Sequence, residues 1–173
     1  MNPQTREQLG RELAGSLSRL ESLHRALADL VERKIDRMRA ADVEGLNACT
    51  GREQSLVEEI GEQERFRRLL TDRLGRSYGM TPQKARRLTV GQWADKLPAA
   101  QAAELRAVAV RLRDVSRRIE RRNRVAGALS GEMLRHLGAV LGSVNDSGGA
   151  AGGYNPCGQV ASSSPRRLFE TVG

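Results

Sequence analysis

The chain has 173 residues, a net charge of +8 and 3% aromatic residues. That length suffices for one domain, but so few rings exclude a core built on aromatic packing, and the Leu, Val and Ala that supply most of the hydrophobic content suit helical seams instead. The charge admits an acidic partner, whether nucleic acid, membrane surface or protein, although arginine carries nearly all of it and the only lysines are Lys34, Lys84 and Lys96.

Thr5 followed by Gln8 has the spacing of a capping box, in which hydroxyl and amide satisfy the free backbone donors at a helix start. Leu9, Leu13, Leu17, Leu20, Leu27, Val31 and Met38 then recur in steps of three, four or seven, with Leu23, Leu30 and Ile35 broadening the face. This periodicity predicts a first helix from Thr5 to about Ala41. Ser16, His24 and Lys34 fall on or beside its seam.

Asp42 is placed to cap a second helix from about Val43 to Leu74, whose face carries Leu46, Cys49, Leu56, Ile60, Leu70 and Leu74. Gly51 and Gly61 weaken it by roughly 1 kcal/mol each against alanine, so a bend near Thr50-Gly51 is one reading. Since no proline forces a stop, one continuous helix through Ala41 is another. Glu58, Glu59, Glu62 and Glu64 lack the Glu-x-x-His spacing of a carboxylate metal core and read as a solvated face, or as partners for arginines of the last helix.

From Gly75 to Leu88 the rhythm breaks, with Tyr78-Gly79 and Thr81-Pro82 marking a loop. Thr89 is suited to cap a short helix from Val90 to Leu97. The single tryptophan, Trp93, is expected to fold back with Leu97 as a lid on the end of the bundle.

Pro98 introduces the longest element, predicted over Ala99 to Val144, about 69 Å at 1.5 Å per residue. Its seam runs through Leu105, Val108, Leu112, Val115, Ile119, Ala126, Leu129, Met133, Leu137, Val140 and Val144 in heptad-like steps. The first half carries eight arginines (106, 111, 113, 117, 118, 121, 122 and 124) against Asp114 and Glu120. Three kinds of partner remain open for them: carboxylates of the same chain, an acidic protein meeting Arg113, Arg117, Arg121 and Arg124, or nucleic acid, which the absence of interleaved aromatics disfavours. Arg122 falls on the seam itself, where it requires a carboxylate or carbonyl from another helix.

The second half of that helix is apolar over a wide face. Leu129, Met133, Leu134, Leu137, Val140, Leu141 and Val144 exceed the width that one neighbouring helix covers, while Gly127, Gly131, Gly138 and Gly142 keep the adjoining surface low. A further helix of the chain, a second copy, or a client helix laid along this face would cover it. After Val144 the composition turns to Gly and Ser, and Asn145 to Gly173 is expected to be largely disordered. The fold expected is thus all-α: an elongated antiparallel bundle or coiled coil of three long helices with a short connecting helix, comprising a helical domain over 1–145 and a flexible tail over 146–173.

Nothing in the sequence supports catalysis. His24 and His136 lie in different helices without convergent carboxylates, Cys49 and Cys157 form no metal-type cluster, and no phosphate-binding glycine motif occurs. No cofactor or metal is expected. The N-terminus, MNPQTREQLG, makes a poor signal peptide, and no apolar run approaches the ~20 residues of a membrane span. A soluble, cytoplasmic protein is expected.

The order of these features resembles the FlgN family of flagellar export chaperones. The likeness rests on the Leu-rich first helix, the turn Arg39-Ala-Ala-Asp-Val-Glu-Gly-Leu46, and the segment Glu64-Arg65-Phe-Arg-Arg-Leu-Leu70. It continues through the short Thr89-Val90 element, the long helix with Asn123, and Tyr154-Asn-Pro-Cys-Gly158. The resemblance implies a cytoplasmic helical chaperone that binds C-terminal helices of hook-filament junction proteins and delivers them to the export gate. It would make Leu129 to Val144 the client-binding surface and give Tyr154 a contact with client or gate.

Overall fold

The computed structural model describes residues 3–148, and side chains from 4 to 143. Five helices follow one another: α1 (Pro3–Arg39), α2 (Val43–Ser77), α3 (Pro82–Arg87), α4 (Val90–Ala94) and α5 (Ala99–Gly148). Two compact units divide the chain, Met1–Gly127 and Ala128–Gly173. The first contains α1 to α4 and the beginning of α5; the second contains the rest of α5.

In the first unit α1 is the central rod. All ten residues of its predicted apolar face are buried, Leu20 completely and Val31 at 1% exposure. Across one side lies α2, running antiparallel: Gln63 donates to the buried Ser16 hydroxyl at 2.9 Å near one end, and Lys34 meets Glu53 at 2.6 Å near the other. Across another side lies α5, running parallel to α1, since Gln101 donates to the Glu7 carbonyl, Arg111 to Glu21 and Arg118 to Glu32. Three rods in an up-down-up course make this parallel pair inevitable, because each connection reverses the chain once.

The turn between α1 and α2 is sharp, and the single continuous helix does not occur. Ala41 adopts φ +52°, while Asp42 N–H donates to the Arg37 carbonyl and Ala41 N–H to that of Met38. This left-handed closure ends α1. Asp42 then caps α2 by accepting from Gly45 N–H at 2.8 Å. Gly51 does not interrupt α2, which continues to Ser77. At its far end the same closure recurs with Gly79 at φ +69°.

Other boundaries differ from the sequence reading. Thr5 lies inside α1, which begins at Pro3, so its capping box does not form. The expected loop over Gly75 to Leu88 contains α3, started by Thr81 as cap and Pro82 in the first turn; the Thr-Pro pair is a start signal as well as a breaker. The capping box found in the structure is Thr89 with Gln92, and α4 stops at Ala94. Helix α5 reaches Gly148, so Asn145 to Gly148 are helical: these polar residues include no proline to stop it. The remainder of the expected tail lies outside the described residues.

Trp93 and Leu97 are buried against Leu9, Leu13, Leu74 and Leu105 in one apolar cluster, consistent with a lid on the core. Tyr78 tilts against Trp93 with ring centroids 6.2 Å apart, donates its hydroxyl to the Lys96 carbonyl at 2.6 Å, and stacks beneath Arg6. Arg6 also donates to the Ser77 carbonyl at 2.8 Å, so the start of α1, the end of α2 and α4 are fastened together.

Candidate functional site

Within the first unit, the buried seam of α5 consists of Leu105, Val108, Val115 and Ile119, with Leu112 partly covered. Turning α5 so that this seam faces the core fixes where its arginines go. Arg111 reaches the buried carboxylate of Glu21 at 2.9 Å, which also receives Arg25 at 2.6 Å. Arg118 grips Glu32 at 2.9 Å and Asp29 at 3.2 Å; Arg122 reaches Glu32 at 3.0 Å. The hydrogen bond from Arg118, aided by the charge of Arg122, holds the Glu32 carboxyl below its usual range, and Glu32 in turn raises the pKa of Arg118. Arg122 thus finds the carboxylate that its seam position requires.

The carboxylates that meet Arg111, Arg118 and Arg122 of α5 are those of α1. The cluster on α2 does not serve this purpose: Glu64 pairs with Arg67 at 2.8 Å and Glu59 lies 3.8 Å from Arg52, both on α2 itself. A signal for the true pairing was present in the spacing. Glu21 to Glu32 and Arg111 to Arg122 are both eleven residues, in the same direction, as a parallel pair of helices demands.

Arg113, Arg117, Arg121 and Arg124 are exposed, and none has an ion pair among the described residues. They share one face of α5 with Arg106, which pairs with Asp95, and with Val110, a valine 56% exposed.

The described residues of the second unit, taken by themselves, form a helix with an open apolar face. Leu134 is 69% exposed, Leu137 55%, Leu141 58%, Val140 46% and Met133 38%; Leu129 is half-buried. At about 100° per residue these six positions cover an arc of roughly 140°. Nothing lies within 4 Å of a Cβ placed at Gly131, Gly138 or Gly142. The side chain of Val144, and Tyr154 altogether, lie outside the described residues.

No group of three or more His, Cys, Asp or Glu among the described residues is arranged to hold a metal ion. His24 engages the Leu20 carbonyl through Nδ1 at 2.7 Å, which marks it as a satisfied helix histidine. Cys49 is a half-buried free thiol. No helix among the described residues is long and apolar enough to cross a membrane.

The first unit is thus a helical bundle, and the described residues of the second carry exposed leucines along one helix. The FlgN protein family matches residues 9–162, most of the length, and the chain belongs to that family. FlgN proteins are flagellar chaperones without enzymatic activity, and membership implies interaction with flagellar export substrates or the export apparatus. No curated protein and no solved structure matches the chain.

Proposed function

We propose that this chaperone binds the amphipathic C-terminal helices of hook-filament junction proteins in the cytoplasm, prevents their premature assembly and delivers them to the gate of the flagellar type III export apparatus. The observation that carries this reading is the exposure of Met133, Leu134, Leu137, Val140 and Leu141 along one face of α5. A junction-protein helix left uncovered would self-associate through its apolar stripe. Laid along the leucines of α5, that stripe is hidden until the client is handed on.

Such an exchange requires reversible binding, around micromolar or about 8 kcal/mol, within reach of a few buried leucines after the cost of association. Leu129 and Val144 complete the proposed client surface. Tyr154, in the tail over 146–173, adds a contact to the client or to the gate. The seams joining α1, α2 and the first part of α5 belong, in this reading, to a coiled coil.

The same apolar face also favours a second reading, a structural coiled-coil protein that oligomerises through it. Titrating a junction-protein C-terminal helix into the native chain and into Leu137→Asp and Leu141→Asp variants, with the mass of each measured in solution, separates the two. Monomeric variants that lose the client support the chaperone reading. Variants that dissociate from an oligomer and keep the client support the structural one.

A further inference from the structure

The first unit carries a second apolar opening, a groove of about 600 Å³ walled by α1, α5 and the Thr89–Gly91 segment. Leu17, Val90, Val110 and Leu112 contribute its aliphatic surface, and Arg106 and Arg113 stand at its rim. From this groove, we infer that the client face proposed above is accompanied by a separate docking site for an acidic amphipathic segment of another protein, with aliphatic side chains in the groove and carboxylates on the arginine face of α5.

The chemistry selects this occupant. No acidic side chain lines the groove, and although Arg106 is paired with Asp95, Arg113 brings a cation with no ion pair among the described residues. Beside it Arg113, Arg117, Arg121 and Arg124 continue along the same face without ion pairs among the described residues, whereas Arg111, Arg118 and Arg122 are engaged by α1. Of the eight arginines, three bind α1, Arg106 is held by Asp95, and four are left for an outside carboxylate. A second copy of the chain brings a net charge of +8 against this surface and is repelled. The chain's own sequence beyond Gly148 has the wrong sign, with Arg166 and Arg167 against Glu170. Nucleic acid would use the arginines but not the groove: its lining is aliphatic, and Trp93 is buried in the core with Tyr78 packed against it, leaving no ring there for a base to stack on. Val110 is exposed at the groove and flanked by Arg106 and Arg113 on its own face, so one helix offers an apolar anchor between two cations.

The probe is a fluorescent synthetic peptide with leucines at helical spacing and glutamates elsewhere, followed by anisotropy with the full-length chain. Val110→Ser and Arg113→Gln alter exposed side chains and leave the core intact, which circular dichroism verifies. Binding that weakens at least about tenfold in each variant, weakens with added salt and persists in Leu137→Asp supports the site. Equal binding in Val110→Ser and the native chain overturns it, as does loss of binding in Leu137→Asp, which places the peptide on the client face instead. Equal binding of a peptide with the same composition in scrambled order removes the role of the groove, and tighter binding of a single-stranded oligonucleotide displaced by the same two substitutions replaces the protein partner with nucleic acid.

Discussion

Arg118 Nη2 stands 2.9 Å from Glu32 Oε2 while its Nε donates to Oε1 at 3.2 Å, a two-pronged grip that ties α5 to α1 in parallel register. Arg122 adds a third contact to the same carboxylate. Exposed pairs of this kind are screened and individually weak; their value here is in fixing which turn of α5 sits against which turn of α1.

This grip makes the bundle sensitive to acid. Glu32 is held below its ordinary value of 4.5 chiefly by the hydrogen bond from Arg118. Asp42 and Asp72 are held below 3.8, the first by the Gly45 N–H and Arg37, the second by the hydrogen bond from Arg86. Because the folded values are lowered, the unfolded chain takes up protons first as pH falls. The stabilisation is complete above the ordinary carboxylate range and is lost as pH drops through it towards the lowered values. Thermal midpoints should be level from neutrality to about pH 5 and fall below that. Glu32→Gln should lower the midpoint at pH 7 and shrink the acid-induced fall; an unchanged pH profile would show that the grip does not persist in solution.

The left-handed Ala41 gives a prediction of opposite sign. Its φ of +52° is one that a Cβ disfavours, and the equivalent position closing α2 is Gly79. Ala41→Gly relieves the clash at a smaller entropic cost in the unfolded chain, so stability should rise by about 0.5–1 kcal/mol in a denaturant titration. A loss of stability would mean that the turn relaxes to another conformation when free.

Local chemistry explains which parts of this fold were legible. The face of α1 was readable because every one of its apolar positions is buried, so periodicity and burial coincide. Helix α3 was not: in Pro82–Arg87 only Ala85 is buried, and one small residue leaves no period to detect. The carboxylate partners of α5 stayed open in the sequence because charge says nothing of direction, and only the matched spacing of Glu21–Glu32 and Arg111–Arg122 reveals a parallel pair. On the leucine-rich half of α5, the width of the apolar face was visible in sequence, and the exposure of Leu134, Leu137 and Leu141 is its structural counterpart.

Two glycines in helices should respond in opposite ways to alanine. At Gly75 an added Cβ would run into the Ala85 side chain, because Ala85 of α3 packs directly over this glycine of α2. Gly75→Ala should cost about 1–3 kcal/mol as the short helix is pushed away. Gly131 has nothing within 4 Å of the added atom, so Gly131→Ala should gain up to about 1 kcal/mol of helix stability. Hydrogen exchange resolved along α5 reads the second effect directly: slower exchange around residue 131 is expected, and faster exchange would mean that another chain packs closely on that glycine in solution.

Leu105 and Leu137 belong to the same seam of one helix, yet the first is wholly buried and the second is 55% exposed. Leu105→Ala removes packed methyl groups from the core and should cost about 2–5 kcal/mol. Leu137→Asp replaces a side chain that already faces water, so the thermal stability of the monomer should change by no more than about 0.5 kcal/mol. The functional consequences should be reversed. The core variant, assayed below its melting temperature, retains the leucine face and should still bind a junction-protein helix; Leu137→Asp puts a charge in the middle of that face and should abolish binding. A stability loss in Leu137→Asp that grows with protein concentration would instead place Leu137 inside a self-association interface, because only an interface between copies makes the melting point depend on concentration.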